Sequence, residues 1–225
     1  MGQGEQQKSL NVPFPVGEWS FENDDVVDNF PFIADANIPN YRAVIQKCVA
    51  VAEQFLSKDA LIVDVGCARG ATLEALYNHG FTNLVGVDGS AKMLKKCFSR
   101  AKLLHSNIFP ADLKQVDFIL ANWVLHFVRE RQQYLEDIYR ALRAGGTFVL
   151  TEKIAANSEL KTLYHDFKRK SGMTEMEIRD KERGIRGVLI PFSLEWYLGC
   201  LNQIGFKDVS IIDAHFSFVT FYAKK

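Results

Sequence analysis

Between residues 41 and 55 the apolar side chains fall at Val44, Ile45, Cys48, Val49, Ala52 and Phe55, the three-and-four spacing of one helix face. Residues 60–65 then form a short, almost wholly apolar run ended by Gly66, as a strand buried on both faces of a parallel sheet requires. The pattern repeats, with helices predicted over 72–79, 91–101 and 131–142 and strands over 84–87, 103–105, 118–121 and 147–151. Strands alternating with helices predict right-handed βαβ units and a doubly wound, mostly parallel α/β sheet. After Glu152 the alternation lapses. Residues 158–170 and 174–183 read as helices joined near Gly172, and 194–204 as a helix with Gly205 as its C-cap. Residues 209–212 and 216–222 close the chain as two strands, expected to be antiparallel because no crossover helix fits between them. That makes a seven-stranded sheet. Upstream, 12–15 and 30–32 are apolar pieces broken by Pro13, Pro15 and Pro31, expected to lie over the body of the fold. Residues 1–15 are read as a flexible tail and 16–225 as one domain.

Composition narrows the function classes. Lys and Arg number 27, as do Asp and Glu, so no basic excess marks the chain for gripping a phosphate backbone, and nucleic acid is not the expected partner. Cys48, Cys67, Cys97 and Cys200 have neither metal-ligand nor redox spacing. They read as free thiols of a reducing compartment, and no metal is expected. No apolar run is long enough to span a bilayer. A cytoplasmic protein acting on a small molecule, away from membranes, is the resulting expectation.

Two motifs carry candidate chemistry. VDVGCARG at 63–70 lies where the first strand passes into a helix, and ligands of open α/β sheets bind outside the carboxyl ends of the strands. It has neither the dinucleotide glycine spacing nor the Gly-Lys-Ser/Thr of a phosphate loop. By itself it is also what an ordinary strand-to-helix turn looks like. Asp88, in GVDGS at 86–90, ends the second strand, where an acid grips a ribose diol. The alternative is a helix cap, which Ser90 could equally supply. Together the motifs point to a ligand containing adenosine.

These residues, with NWVLHF at 122–127 and LRAGGT at 142–147, resemble the successive motifs of class I S-adenosylmethionine-dependent methyltransferases. A narrower resemblance covers nearly the whole chain from Val16. GEWSF at 17–21, IPNY at 38–41, TEK at 151–153, HDFKR at 165–169 and EMEI at 175–178 are similar to the carboxy-S-adenosylmethionine synthase family. Those bacterial enzymes convert S-adenosylmethionine to its carboxy derivative with prephenate as donor, and the product serves tRNA wobble-uridine modification.

The resemblance implies cofactor contacts at Tyr41, Asp64, Gly66, Cys67 and Ala68, the last replacing a serine. It implies Asp88 as the ribose acid, followed by Gly89 in place of an asparagine. It places Asn107 and Ile108 near the adenine and Asn122 on the sulfonium side, and it implies a homodimer. One departure stands out. Where the family places an arginine against the carboxylate of its product, a gap-free count gives Glu182, with Arg183 adjacent and Arg186 one turn on. Carboxylate facing carboxylate repels, whereas arginine would hold it by paired hydrogen bonds. Plain methyl transfer to a small molecule, yielding S-adenosylhomocysteine, is therefore preferred. Carboxy-S-adenosylmethionine synthesis and a non-catalytic cofactor-binding module are the alternatives, and a nicotinamide oxidoreductase lacks its glycine motif.

The candidate substrate-side residues are His126, His165, Arg183 and Arg186. His126 could take a proton from a nucleophile or simply satisfy a carbonyl, and His165 could face the pocket or cap a core face. The run Lys168, Arg169, Lys170 could attract an anionic substrate, but reads first as a solvated helix end complementing the dipole. Trp19, Trp123 and Trp196 read as core or lid.

Overall fold

The computed structural model describes residues 12–225. Seven strands form one sheet: β1 (Ile62–Val65), β2 (Leu84–Asp88), β3 (Lys102–His105), β4 (Val116–Asn122), β5 (Leu142–Lys153), β6 (Lys207–His215) and β7 (Phe218–Lys224). Their order is β3-β2-β1-β4-β5-β7-β6. The first five run parallel, and β7 pairs antiparallel with both β5 and β6. The chain leaves β1 toward β2 and β3 on one side and returns to β4 on the other. This reversal opens a crevice at the carboxyl ends of β1 and β4, where ligands of such sheets bind.

Alternate residues of the central strands serve two cores, as the two-residue strand period dictates. Ile62, Phe118 and Leu120 pack with α2 (Tyr41–Phe55) and α3 (Ala71–Asn78). Val63, Val65 and Ile119 pack on the other face with α5 (Arg131–Ala141) and α8 (Leu194–Ile204). The helices α6 (Ser158–Lys170) and α7 (Glu175–Gly184) follow β5. A reciprocal capping box between Thr174 and Glu177 starts α7.

Two expectations are corrected. Residues 24–37 form a helix, α1 (Asp24–Asn37), with Pro31 inside it. Pro31 offers no N–H to the carbonyl of Val27 one turn back, and Arg69 Nη1 reaches the carbonyls of Val27 (3.4 Å) and Asp28 (3.2 Å) instead. Asn23 caps the start by accepting from the Val26 amide, so local chemistry outweighs the proline. Second, the helix expected over 91–101 is only α4 (Ala91–Lys95), because the Phe98 amide donates to the carbonyl of Arg69 and turns the chain. The tail expected over 1–15 falls for the most part, at residues 1–11, outside the described residues, and Val12 and Phe14 pack against the cluster of Trp19, Val26, Val27, Ile33 and Met93.

Candidate active site

The loop after β1 is fixed by its backbone. Gly66 has φ +67°, and a Cβ there would meet Val124 Cγ2 at 2.5 Å, so the turn needs glycine. The amides of Gly66 and Cys67 donate to the carbonyl of Val87 at the end of β2. Asp88 lies beside them: Oδ2 accepts from the Ala68 amide (2.8 Å) and Oδ1 from the Ser90 amide (2.7 Å). Ser90 does cap α4, accepting from the Met93 amide, which leaves Asp88 free of that task. Burial pushes the Asp88 carboxyl above the usual range, against the two amides that lower it. Asp64, 3 % exposed, is pushed further up by burial and then by the charges of Cys97 and Asp88. A Cβ on Gly89 would lie 2.2 Å from Asn107 Oδ1, so glycine here leaves room for the Asn107 amide in its present place.

These groups line one cavity of ≈ 660 Å³, within the range that holds a small ligand. Tyr41 packs against Trp123 with ring centroids 4.8 Å apart and planes tilted by 41°, and burial raises its hydroxyl to about 12. Asn40, which precedes it, takes φ +58°, a left-handed turn that asparagine tolerates better than most residues. Asn122 is pinned: Oδ1 accepts from Thr151 Oγ1 (2.7 Å), and Nδ2 reaches Cys48 Sγ. Ile108 is an exposed apolar rim.

The opposite end of the same cavity is lined by Lys153 of β5, Lys168 of α6 and Lys181 of α7. Lys168 is 1 % and Lys181 8 % exposed. Their ammonium groups lie against rings: Lys153 and Lys168 each 4.5 Å from the Tyr164 centroid, Lys181 3.6 Å from that of Trp19. Among the described residues, none of the three forms an ion pair, whereas lysines 47, 58, 92, 96 and 161 do. Burial pushes Lys153 down to about 8 and Lys168 to about 7, and holds Lys181 well below its ordinary value. Mutual repulsion adds to the shifts at Lys168 and Lys181. Glu182, whose charge works the other way at Lys153 and Lys168, is engaged elsewhere. Its Oε1 lies 2.7 Å from His165 Nε2 and 3.3 Å from Lys161 Nζ. Burial acts to raise the Glu182 carboxyl, but these partners prevail and hold it below the usual range.

Tyr41, Asp64, Gly66, Cys67, Ala68, Asp88, Gly89, Asn107, Ile108, Asn122 and His126 therefore meet at one cavity. Three substrate-side candidates do not. His165 is spent on Glu182. Arg183, two residues and 200° of helix beyond Lys181, is solvent-exposed and faces Asp180 at 3.7 Å. Arg186 is exposed and outside the lining. The lysine run is corrected as well, since Lys168 turns inward while Arg169 and Lys170 stay outside. Sequence reasoning missed Lys153 and Lys181, and touched Lys168 only as part of a basic run able to attract an anion. The signal was helical spacing: Lys168 follows buried Tyr164 by four residues, and Lys181 follows buried Ile178 by three. Among the described residues no group of three His, Cys, Asp or Glu could hold a metal ion, and no helix is long and apolar enough to cross a membrane.

Comparison with known proteins bears on this cavity. Residues 63–150 match the methyltransferase domain family. The chain is 31% identical to the carboxy-S-adenosyl-L-methionine synthase of Aliivibrio fischeri, over 93% of this chain and 94% of that one. It is 30% identical to the enzyme of the same name from Colwellia psychrerythraea, over 89% and 90%. Its fold is similar to that of a Thermotoga maritima S-adenosylmethionine-dependent methyltransferase described as a possible histamine N-methyltransferase. That match has a TM-score of 0.62 at 17% identity and covers 89% of this chain and 96% of that one.

Proposed function

The chain belongs to the carboxy-S-adenosyl-L-methionine synthase family of class I S-adenosylmethionine-dependent methyltransferases, and from that premise we propose that it transfers a methyl group to a small organic anion. The observation that carries this reading is the pairing, in one cavity, of an adenosine-type cradle with two buried lysines, Lys168 and Lys181, and the half-buried Lys153, none with an acidic partner. A buried charge is costly unless paired, so lysines pushed toward their neutral forms are complementary to an anion brought from outside, which restores their charge.

In this reading Asp88 accepts from the ribose hydroxyls with the lone pairs that the Ala68 and Ser90 amides leave free. Asn107 and Ile108 flank the adenine. Gly66, Cys67 and Ala68 approach the ligand through backbone, and Tyr41 and Asn122 border the sulfur side. Asp64, pushed toward its neutral form by burial, returns to its charged form beside a ligand ammonium. S-adenosylmethionine supplies a methyl group on a cationic sulfur, and the protein supplies placement and electrostatics. Lys153, Lys168 and Lys181 hold the acceptor's carboxylates.

A second reading, synthesis of carboxy-S-adenosylmethionine, is favoured by the same lysines, which could neutralise the additional carboxylate without the family's arginine. Against it stands Glu182, an acid at the arginine position. Binding calorimetry with S-adenosylmethionine and its carboxy derivative, with mass analysis of products formed from S-adenosylmethionine and prephenate, tests both. Tighter binding of plain S-adenosylmethionine and no carboxylated product support methyl transfer. The reverse establishes the second reading, and no binding of either ligand defeats both.

A further inference from the structure

We propose that His126 is the catalytic base of this site, its tautomer set by Glu152, and that the acceptor is a carboxylate carrying a protonated hydroxyl or amine. The inference rests on the methyl-transfer reading and adds to it the proton's destination. His126 sits in the 3-10 turn Leu125–Phe127 directly after β4, where Trp123, at φ +58°, redirects the chain over the cavity. The residue is 3 % exposed and lines the cavity. Its Nδ1 lies 3.0 Å from Glu152 Oε2.

Glu152, fully buried, receives two other donors: the Leu125 amide to Oε1 (2.8 Å) and the Tyr197 hydroxyl to Oε2 (2.9 Å). The Tyr197 proton is committed to Glu152, because Arg131 Nη1 already donates to the Tyr197 oxygen (3.0 Å). Arg131 is in turn fixed on the carbonyls of Leu125 (2.7 Å) and Ile190 (2.8 Å). An ionised carboxylate only accepts, so Nδ1 carries the proton and donates it. The Lys153 amide also points at Nδ1, from 3.4 Å, a longer and weaker contact than the one to Glu152.

That arrangement leaves the lone pair on Nε2, for which no partner exists among the described residues, facing the cavity. One nitrogen is held by a chain of groups drawn from β5, α8 and α5, and the other opens on the cavity. The remaining close neighbour is the Phe127 ring, 4.6 Å away, which cannot take a proton.

The step balances. The acceptor's oxygen or nitrogen forms a bond to the methyl carbon, and the carbon–sulfur bond breaks with its electron pair staying on sulfur. The acceptor's proton passes to His126 Nε2, and the resulting imidazolium is stabilised by the Glu152 charge before it releases the proton to solvent. Lys168 and Lys153, both lowered by burial, are the rival bases.

Two measurements test this. Long-range proton–nitrogen NMR of the labelled protein reads the tautomer without any acceptor. The expected state is Nδ1–H in the wild type and Nε2–H in Glu152→Gln, whose amide donates to Nδ1. An Nε2–H tautomer in the wild type overturns the proposal. Transfer of labelled methyl is then measured to a panel of hydroxy- and aminobenzoates and to mercaptobenzoate, whose thiolate needs no base. His126→Asn is expected to lower kcat on the hydroxy or amino probe by about 100-fold or more, with KM little changed. It should also lose the acidic limb of the rate–pH profile while keeping transfer to the thiolate. Equal loss on both probes, or a rate sensitive to Lys168→Met and not to His126→Asn, overturns the assignment. Wild-type protein that transfers to no panel member overturns the acceptor class. Failure of the methyl-transfer reading would be seen separately, as no heat on titration with S-adenosylmethionine or S-adenosylhomocysteine.

Discussion

The two ends of the cavity are built on opposite electrostatic plans. At the Asp88 end a half-buried acid is already held by two amides of its own chain, from Ala68 and Ser90. At the far end two buried lysines and a half-buried third lie against the faces of Tyr164, Phe218 and Trp19. The first end is complete before any ligand arrives, and a ligand adds hydrogen bonds to a finished frame. The second is incomplete, and a ligand must supply the missing charge. Satisfied polar groups thus report how a site is shaped, and unsatisfied ones report the chemistry of what it takes.

The largest expected effect comes from removing the incomplete end. With folded values of about 7 for Lys168 and about 8 for Lys153, and about 10.4 for an unfolded lysine, the sign follows directly. Below pH 7 both states bind these protons, and the folded state bears the whole cost of the buried charge. Between about pH 7 and 10 the folded state sheds protons that the unfolded chain keeps, so unfolding free energy rises, by several kcal/mol in order of magnitude. Scanning calorimetry across this interval should show that rise, and Lys153→Met/Lys168→Met should flatten it and melt higher than wild type at pH 7. A variant that melts lower would mean that the lysines are paired after all.

Next in size is the finished end. Asp88→Ala should weaken S-adenosylmethionine binding by about 2 kcal/mol, the scale of hydrogen bonds to a charged group, as read by titration calorimetry. Unchanged affinity would reduce Asp88 to a loop anchor. Arg69→Ala should cost about 1 kcal/mol of stability in urea unfolding, since it exposes the Val27 and Asp28 carbonyls around Pro31. The smallest effect is expected at Arg183→Ala and Arg186→Ala, within about 0.5 kcal/mol of wild type in ligand affinity and stability. A tenfold loss of affinity for a carboxylate ligand in either would bring the arginines back into the site.

The same contrast governs what the sequence disclosed. The cradle comes from segments close in sequence, at 64–68 and 88–90, and strand ends followed by glycine announce it. The parallel sheet was legible because Ile62, Val63, Phe118 and Ile119 are buried on both faces of it, which leaves continuous apolar runs. Helix α1 was not, because its stability depends on Arg69, forty residues away, covering what Pro31 uncovers. The lysines were illegible for a similar reason. Lys153, Lys168 and Lys181 stand on three elements, β5, α6 and α7, that only tertiary packing brings together, α6 against Phe218 of β7 and α7 against α6, and beside Arg169 and Lys170 the middle one looks like surface. His126 was visible as a candidate, but its role turns on Tyr197 and Arg131, which fix Glu152 from two distant helices.

Trp19 gives the incomplete end a built-in signal. The indole is buried, stacked on Phe127 at 6.0 Å, and carries the Lys181 ammonium 3.6 Å above its ring. Indole emission shifts with the electric field across the ring, and a cation placed on one face sets that field. An anion drawn to Lys181 changes the field without displacing the ring. Occupancy of the acceptor end can therefore be followed as the part of the fluorescence shift that Trp19→Phe removes, Trp123 and Trp196 still emitting in that variant.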